Sequence, residues 1–309
     1  MEPNSITITY LSKVTFASLN GSDKEVDNIN TIKKVRLENG EELPYVSSQA
    51  IRRALRDKLK EMGNDVSPVD SASVNKGAPK TALNPVQYID DDLFGYMDAT
   101  AGQAGEKGSS TTRTSPIRVE SLVALSPYKE DLDFATNFMG KAIGSDPNIF
   151  ETEIHSGVYR GTILIELDRI GCGEGFETQE ENSKNEINNK EKAKRVLYFL
   201  DSFKSLWSSG RQTRFLADIS PKFIAAAYMK SKNPIFLESV KVEGDNNINI
   251  AELETVVKDY KEFIEDDKYV FAAQSSIFNT NDEIKNLADG FNEIKQWVKS
   301  YYEINNEEL

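Results

Sequence analysis

The sequence predicts an α+β protein built on a modified RRM-like, or ferredoxin-like, antiparallel sheet with large insertions. Two observations along its 309 residues predict this fold. Apolar and polar residues alternate in some segments, as in half-buried strands, and apolar residues recur every three or four positions in others, as in amphipathic helices. These segments follow one another in the order strand, helix, strand, strand, helix, strand, which is the order of that sheet.

The N-terminal part of the chain predicts the first strand and the first helix. Residues 5–19 alternate in polarity and predict one long or bent strand, whereas residues 20–46 are polar and turn-rich and predict a loop insertion. A helix is predicted from Ser47 to about Gly63. Serine caps helix N-termini, apolar residues recur at helical spacing between these positions, and glycine favours the position after a helix.

The middle of the chain predicts a large insertion before the sheet resumes. Residues 64–115 are expected to form an inserted region with a short helix within residues 84–97. Residues 98–115 are rich in Gly, Ser, Thr and Ala with almost no apolar anchor, which predicts a mobile segment. A strand is then predicted over residues 117–125, between two prolines.

The second half of the chain completes the predicted order. Residues 158–170 predict a strand, residues 172–189 a charged loop, and residues 190–207 a helix. Residues 245–309 predict an acidic helical part, and the whole chain, residues 1–309, is interpreted as one core with insertions. Further strands are predicted over residues 214–219, 223–229, 235–242 and 269–272, and further helices over 250–264 and 282–302.

The net charge of −13 is distributed unevenly. Residues 33–60 contain eight basic and four acidic residues, residues 100–129 contain four and two, and residues 204–232 contain six and one. Residues 238–309, by contrast, contain seventeen acidic and seven basic residues. The total alone argues against a nucleic-acid partner, since phosphate binding depends on Lys and Arg. The three basic windows remove that argument.

Cysteine content and hydropathy exclude several classes of protein. Cys172 is the one cysteine in the sequence, which excludes an intrachain disulfide and a multi-cysteine zinc module. The first residues lack the pattern of a secretory signal. The most continuous apolar run, residues 223–229, is far shorter than the about 20 residues of a membrane span. We therefore expect a cytoplasmic protein with no membrane contact, metal or cofactor.

The predicted first helix carries the strongest candidate for a binding surface. Arg52, Arg56 and Lys60 recur at every fourth position, with Arg53 beside them, opposite an apolar face. The N–H groups at the helix start, near Ser47, can bind phosphate because they point outward with the helix dipole. This combination predicts a track for a sugar-phosphate backbone. The alternative is an ordinary solvent-exposed helix face.

The other two basic windows add candidate contacts. Their arginines are Arg113, Arg118, Arg211 and Arg214. Arg113 and Arg118 flank the predicted mobile segment, and Phe94 and Tyr96 precede it. Mobile loops with basic and aromatic borders can close over single-stranded nucleic acid and stack on its bases. The alternatives are an ordinary loop with buried aromatic rings, and cations that favour a helix C-terminus.

The string from Ser47 to Arg56 resembles the signature of a known family. That family is the CRISPR-associated Cascade backbone subunit, Cas family seven, in its DevR-like, type I-B branch of the RAMP superfamily. Arg52 stands where the family prefers Lys, and the two cations differ in geometry. Four further strings resemble the same branch: DDDLFGYM at 90–97, RTSPIRVESLVALSPY at 113–128, GVYRGTILIELDRIG at 157–171 and GRQTRFLADISP at 210–221.

The resemblance implies an RRM-like core with thumb, palm and finger insertions. It implies copies stacked head to tail along a guide RNA (crRNA) whose bases pair with target DNA, together with capping, large and small Cascade subunits, in antiviral defence. A thumb within residues 84–118 would wedge between bases, with Phe94, Tyr96 and Met97 as its candidates. The implied contacts to RNA phosphates and sugars are Ser47, Ser48, Gln49, Arg52, Arg53 and Arg56.

Two other functions remain open at this point. His155 is the one histidine, and it or the Asp90–Asp92 cluster could serve a RAMP-type endoribonuclease. Three consecutive acids do not share one helical face, however, so we interpret them as a helix start or a solvated turn. A duplex-DNA-binding regulator of the DevR type is the other alternative, although no helix-turn-helix pattern supports it. We expect a protein that binds and does not catalyse.

Overall fold

The structure is a computed structural model. It describes residues 2–22, 28–69, 79–100, 109–139, 141, 144, 146–176, 186–208, 214–244, 246–279 and 284–305.

The described residues form one large central sheet, two smaller sheets and five α-helices. The strands are β1 (Ser5–Ala17), β2 (Ile29–Asn30), β3 (Lys34–Arg36), β4 (Glu42–Val46), β5 (Tyr96–Thr100), β6 (Ser109–Arg113), β7 (Ile117–Val119), β8 (Leu122–Ala124), β9 (Leu132–Asn137), β10 (Asn148–Glu153), β11 (His155–Glu166), β12 (Phe223–Met229), β13 (Ile264–Ala273) and β14 (Lys285–Asn286). The helices are α1 (Ser48–Glu61), α2 (Ile89–Phe94), α3 (Asn189–Lys204), α4 (Ile250–Asp259) and α5 (Leu287–Tyr301), with 3₁₀ turns at Leu167–Arg169 and Lys261–Phe263. Within these ranges, none of the helices combines the length and the apolar character that crossing a bilayer requires.

The central sheet has the predicted ferredoxin-like topology. Its strand order is β14-β13-β12-β1-β11-β8-β4-β3, and β7 also pairs with β11. The pairs β12–β1, β1–β11 and β11–β7 are all antiparallel. Since β1, α1, β7–β8, β11, α3 and β12 follow one another along the chain, the sheet has the order 4-1-3-2 of an RRM-like core. The predicted α+β fold class is confirmed.

One face of the sheet packs against α1, α3 and α5. Alternate residues of β1, including Ile8 and Tyr10, point into this core and are buried. The ring of Phe203 on α3 lies 4.7 Å from the ring of Tyr10 in an edge-on arrangement. Gly161 is the register partner of Tyr10, and a Cβ atom there would lie 2.9 Å from the Tyr10 ring. The missing side chain therefore leaves room for the tyrosine ring.

The opposite face of the sheet is covered as well. Leu11 and the alternate residues of β12 pack against Phe236, Val240 and helix α4 in a second apolar cluster. Arg160 of β11 donates hydrogen bonds to the carbonyl oxygens of Glu238 and Val240, at 3.3 and 3.2 Å. The segment 230–243 is thereby fixed across the sheet, and Thr9 is buried beneath it.

Two smaller sheets project from the core. Strands β2, β10 and β9 form one of them, and β5 and β6 form a two-stranded ribbon. The predicted loop over residues 20–46 therefore contains the short strands β2, β3 and β4. The predicted mobile segment over residues 98–115 includes the end of β5 and all of β6, while residues 101–108 lie outside the described part of the chain.

Two predicted strands are wrong. Residues 214–219 form no strand despite their alternating burial: Asp218 makes an isolated bridge with Trp207, and the end of β1 faces this segment across a cleft. Residues 235–242 form successive turns, in which the amide of Val240 donates to the carbonyl oxygen of Phe236. The buried apolar side chains of these turns recur every few residues. In a segment this short, that spacing is not distinguishable from the alternation of a strand.

Other predicted elements differ in their bounds. The strand predicted over residues 117–125 is divided into β7 and β8, and the 190–207 helix is α3, which ends at Lys204. The helix predicted over residues 250–264 ends at Asp259, after which the chain enters β13. Helix α5 begins at Leu287, where the Asn286 side chain accepts a hydrogen bond from the Asp289 amide. Capping by asparagine thus sets a later start than the predicted residue 282.

Truncation of Phe203 is expected to destabilise the core strongly. The side chain is completely buried against the rings of Tyr10, Phe199 and Phe291. Phe203→Ala should lower the free energy of unfolding by about 3–5 kcal/mol, since it leaves a cavity. Urea denaturation monitored by circular dichroism measures this loss. Phe134→Ala is the matched control, because that side chain is 60% exposed, and its effect should stay within about 0.5 kcal/mol.

Candidate nucleic-acid interface

The N-terminus of α1 is docked onto neighbouring loops. Ser47 caps the helix, and its hydroxyl oxygen accepts a hydrogen bond of 3.3 Å from the Ala50 amide. The Ser47 amide donates to the Asn20 side chain at 2.9 Å, and the Ser48 amide donates to the Ser121 hydroxyl at 3.2 Å. Several N–H groups expected to meet phosphate are thus used inside the protein. Gln49 is exposed beside them.

The basic stripe of α1 divides into two faces. Arg52 and Arg56 point toward α2: Arg56 Nε donates to Asp90 Oδ2 at 3.0 Å, and its guanidinium lies 5.0 Å from the Phe94 ring centroid. Arg52 Nη1 lies 3.5 Å from the carbonyl oxygen of Phe94. Burial, followed by the nearby charge of Arg56, lowers the pKa of Arg52. These two arginines are half-buried, so they are positioned by α2 rather than mobile in solvent.

Arg53 and Lys60 form the exposed face of the same helix. They lie seven residues apart, which places them on one side two turns apart. The Arg53 side chain is 68% exposed and its Nε pairs with Asp57 at 3.1 Å, an ion pair on the surface. Exposed pairs of this kind contribute about 0–1 kcal/mol, so a phosphate can replace the carboxylate at small cost.

An open cleft lies beside this face. It has a volume of about 220 Å³ and is lined by residues 18–21, which follow β1, by the first turns of α1 and by Ser208. Arg53, Ala50 and Asn20 are among its lining residues. The volume is below the about 300–1,000 Å³ typical of small-molecule sites. The cleft therefore suits one contact of an extended ligand rather than an enclosed small molecule.

Arg214 lies at a second cleft, of about 300 Å³, between the end of β1 and the 214–218 segment. Its guanidinium lies 5.1 Å from the ring of Phe150 and 5.3 Å from that of Phe215. It also donates to Thr152 Oγ1 at 3.1 Å and pairs with Asp133. Arg214 thus ties its segment to the β9–β10 pair. Arg211 lies outside the described residues.

Arg118 lies on a different surface. Its side chain is 57% exposed, and Nη2 pairs with Glu166 Oε1 at 2.6 Å. Glu166 is buried and also pairs with Lys232 and Arg169. Burial raises the pKa of the Glu166 carboxyl, but the hydrogen bond and charge of Lys232, with the charges of Arg118 and Arg169, lower it overall. Arg169 and Lys232 were not predicted as site residues, although one lies in the string at 157–171 and the other ends the basic window at 204–232.

The structure corrects the interpretation of Arg113. This side chain is completely buried rather than presented to a ligand. It donates to the carboxylate of Asp92 at 2.5 Å and to four main-chain carbonyl oxygens. All five N–H donors of the guanidinium are therefore engaged inside the protein. The hypothesis that Arg113 contacts nucleic acid does not fit this position, whereas the hypotheses for the exposed basic residues remain open.

The three candidate wedge residues differ in their exposure to solvent. Phe94 is buried, with its ring 6.3 Å from that of Phe199, so it cannot stack on a base in this arrangement. Tyr96 is half-buried and donates its hydroxyl proton to the carbonyl oxygen of Gly175 at 2.6 Å. Met97 is 71% exposed on the β5–β6 ribbon. Of these three, Met97 alone is presented to a ligand.

The Asp90–Asp92 cluster opens α2 but is not a solvated turn. All three side chains are buried. Asp90 accepts hydrogen bonds from Arg56 and the Ser67 amide, and Asp91 accepts one from the Asn84 amide at 2.9 Å. Burial is the largest cause of the raised pKa of Asp90. The prediction of a helix start fits the structure, and the alternative of a solvated turn is wrong.

Asp92 has the most partners of the three acids. Besides Arg113 it accepts a hydrogen bond of 2.7 Å from Arg195 of α3, and it accepts from the Gly171 amide at 3.0 and 3.1 Å. We call Asp92, Arg113 and Arg195 the Asp92 cluster, as distinct from the three consecutive acids Asp90–Asp92. Among the described residues, no group of three His, Cys, Asp or Glu side chains has the arrangement of a metal site.

His155 is held inside the protein. Its Nδ1 lies 2.7 Å from the hydroxyl of Tyr159, and its ring is in edge-on contact with the Tyr159 ring at 5.4 Å. The residue is 8% exposed, and burial lowers its pKa. These contacts are those of a packed core residue at the start of β11.

Neutralising Asp92 is expected to cost more stability than neutralising an exposed acid. Asp92→Asn keeps the shape of the side chain but leaves the buried guanidinium of Arg113 without its counter-charge and that of Arg195 with only the partly exposed Glu191, 3.6 Å away. The free energy of unfolding should fall by about 3–5 kcal/mol, measured by urea denaturation. Asp57→Asn removes an exposed partner of Arg53 and should change it by about 0–1 kcal/mol. Equal effects of the two variants would contradict the structural role of the cluster.

The structural comparison extends over nearly the whole chain. A chain of a solved structure described as "CRISPR RNA-guided surveillance complex" is 16% identical, with a TM-score of 0.57, and covers 96% of this chain and 99% of its own length. A chain of a structure described as "CRISPR RNA-guided surveillance complex, pre-nicking" is 14% identical, with a TM-score of 0.62 and the same coverage. At these identities the likeness shows a shared fold.

The sequence comparisons identify the family. A search of the curated proteins found no significant match. The family model described as "CRISPR-associated negative auto-regulator DevR/Csa2" matches residues 8–248, more than half of the chain. This match confirms the resemblance inferred from the SSQ and arginine motif of α1. The chain therefore belongs to the DevR/Csa2 family of CRISPR-associated proteins.

Proposed function

We propose that this protein is a guide-RNA-binding backbone subunit of a type I-B Cascade complex. Several copies stack head to tail along the crRNA and present its bases for pairing with target DNA, in the cytoplasm, alongside capping, large and small subunits. The protein contacts the RNA backbone and its shape, while base pairing selects the target. It carries out no catalytic step and needs no metal or cofactor.

The exposed face of α1 is the observation that carries this proposal. Arg53 lines an open cleft at the hydroxyl-capped start of the helix, and Lys60 continues the same face two turns later. A row of exposed cations at this spacing suits a sugar-phosphate backbone, which presents charge at regular intervals. Arg52 and Arg56, held by α2, provide positive charge beside this row.

The family and the fold support the same function. The DevR/Csa2 family model matches residues 8–248, which include α1, the ribbon and most of the sheet. The chains that share the fold come from structures described as RNA-guided surveillance complexes, and the match includes 99% of each of those chains. A subunit of this family with this fold is therefore suited to the same kind of assembly.

An apolar surface supports the stacking of copies. Phe134 of β9 and Ile149 of β10 lie on one face of their sheet, because Ile149 pairs with Thr136, two residues along from Phe134. Their exposed fractions are 60% and 49%, and Met139 close by in the chain is 83% exposed. Exposed apolar side chains in one place are typical of protein contacts. Head-to-tail contact of this kind is open-ended, so the RNA or a terminal subunit must set the length of the stack.

The described contacts favour binding over endoribonuclease chemistry. His155 is packed against Tyr159, and the Asp90–Asp92 carboxylates accept hydrogen bonds from arginines and main-chain amides. All four side chains are buried, so a ribose hydroxyl could not reach them in this arrangement.

Native purification tests the proposal most directly. We expect that the chain, purified from its own cells at moderate salt, brings with it a small RNA of discrete length and other protein subunits. Sequencing of the RNA and mass spectrometry of the proteins measure this. Recovery of the chain alone, recovery with duplex DNA in place of RNA, or metal-independent cutting of the bound RNA by the purified chain would each contradict the proposed function.

Neutralising the exposed face of α1 should weaken RNA binding. Arg53→Gln combined with Lys60→Gln removes two cations without disturbing the contacts of Arg52 and Arg56. We expect about tenfold weaker binding of a fluorescent single-stranded RNA, and a slope of log affinity against log salt that is shallower by about 1.4, for two lost phosphate contacts. Fluorescence anisotropy at several salt concentrations measures both quantities.

The matched control removes the same charge elsewhere. Lys241→Gln combined with Lys261→Gln also neutralises two exposed cations, at positions 56% and 69% exposed in the acidic stretch of residues 238–309. Affinity and salt slope should then stay close to those of the unmodified chain. If both double variants weaken binding equally, net charge rather than the α1 face determines the affinity, and the assignment of the interface is wrong.

A further inference from the structure

The base of the β5–β6 ribbon is built around a buried arginine. Arg113 is the last residue of β6 and pairs in register with Tyr96, the first residue of β5. We propose that Arg113, held by Asp92, is a positioning residue that fixes the direction in which the ribbon leaves the core before any RNA binds. The ribbon's own contact with RNA rests on the proposed function, whereas the fixed direction rests on the contacts at its base.

The guanidinium of Arg113 joins three segments. Nε donates to the carbonyl oxygen of Asp92 at 3.1 Å, and Nη2 donates to Asp92 Oδ1. Nη1 donates to the carbonyl oxygens of Cys172 and Glu174 at 3.0 and 3.1 Å, and Nη2 also donates to that of Arg169 at 2.8 Å. We call residues 169–176 the collar. A rigid planar group with five directed donors permits one orientation of the strand that carries it.

Two glycines, Gly95 before β5 and Gly175 in the collar, lie against the end of β6. Gly95 has a φ of +65°, and a Cβ atom there would lie 2.1 Å from the carbonyl oxygen of Arg113. Gly175 has a φ of +75°, and a Cβ atom there would lie 2.5 Å from the carbonyl oxygen of Thr112. The main chain at each of these two positions therefore contacts β6 at a distance that only glycine permits. Tyr96 adds a hydrogen bond from the other strand to Gly175.

Asp92 connects the collar and the ribbon to the helical layer. Its second oxygen accepts a hydrogen bond from Arg195 of α3, which also donates to the carbonyl oxygens of Pro85 and Val86 at 2.7 Å. Asp92 therefore fixes the direction of the ribbon relative to α3, a helix that packs on the central sheet. Met97, one residue beyond the base, is exposed at a position set by this arrangement. A group positioned in advance loses less conformational entropy on binding than a hinged one.

Hydrogen–deuterium exchange of the full chain tests the positioning role. Arg113→Lys keeps the charge but loses the planar fork, and Tyr96→Phe removes one hydrogen bond only. Amide exchange in the described parts of the ribbon and in the collar should rise about tenfold in Arg113→Lys and by a smaller factor in Tyr96→Phe. Exchange in β1 and β11 should stay within about twofold of the unmodified chain. Thermal unfolding of each variant confirms that it is folded.

Matched controls separate this role from general stability. Arg160→Lys alters another arginine that donates to main-chain carbonyl oxygens, those of Glu238 and Val240, and Tyr128→Phe alters another hydroxyl that contacts a main-chain oxygen. Neither should change exchange in the ribbon. If Arg113→Lys raises exchange no more than Arg160→Lys, or raises it equally in β1 and β11, the proposal is wrong.

A second readout tests what the fixed direction does for RNA. With RNA bound, Arg113→Lys should keep affinity within about threefold, because the exposed cations of α1 remain, while the contrast between reactive and protected bases in chemical probing falls by about half. An unchanged reactivity pattern despite faster ribbon exchange would overturn the positioning role. If the unmodified chain binds no RNA, the proposed function fails, and the exchange experiment still decides whether Arg113 fixes the ribbon.

Discussion

The arrangement of the insertions depends on the ion pairs that the buried carboxylate of Asp92 makes with Arg113 and Arg195. Burying one acid and two guanidinium groups costs several kcal/mol per ion, and this cost is offset only when every donor and acceptor has a partner. The cluster carries one excess positive charge. Six main-chain carbonyl oxygens accept from Arg113 and Arg195 and surround that charge with dipoles. Helix α2, the ribbon, the collar and α3 must all be in place for the cluster to form.

The short helix α2 connects these parts because its acids are consecutive. Successive residues of a helix point about 100° apart, so three neighbouring carboxylates face three different segments. Asp90 meets Arg56 of α1, Asp91 meets the Asn84 amide, and Asp92 meets Arg113 of the ribbon. The spacing that prevents these acids from sharing a metal ion allows them to join three elements. The cationic helix and the exposed ribbon are therefore held in a fixed relation to one another.

The sequence predicted the central elements because their signals are local. The cap at Ser47 and the apolar spacing of α1 are both visible within sixteen residues, and the alternation of β1 is equally clear. The strands proposed at 214–219 and 235–242 failed because a strand needs a partner, and pairing is not a local property.

The failures at the candidate site have a related physical cause. Nothing near Arg113 in the sequence indicates that Asp92 and the carbonyl oxygens of the collar, some sixty residues away, surround it. A buried arginine and a phosphate-binding arginine have the same composition around them, and only the packing distinguishes the two. The same sequence patterns proposed the exposed Arg53, Lys60 and Met97, and only the packing separates these positions from the buried Arg113.

The covered second face of the sheet has a consequence for recognition. In RRM domains, aromatic side chains on the open face of the sheet stack on bases and select among them. Here the corresponding positions of β1 and β11, including Thr9 and Thr162, are buried, and their hydroxyls lie 3.0 Å apart. At these described positions an RNA would find no stacking surface. In the proposed guide-binding role, one chain would then suit guides of any sequence, because the positions at which RRM domains discriminate between bases are enclosed here in the protein itself.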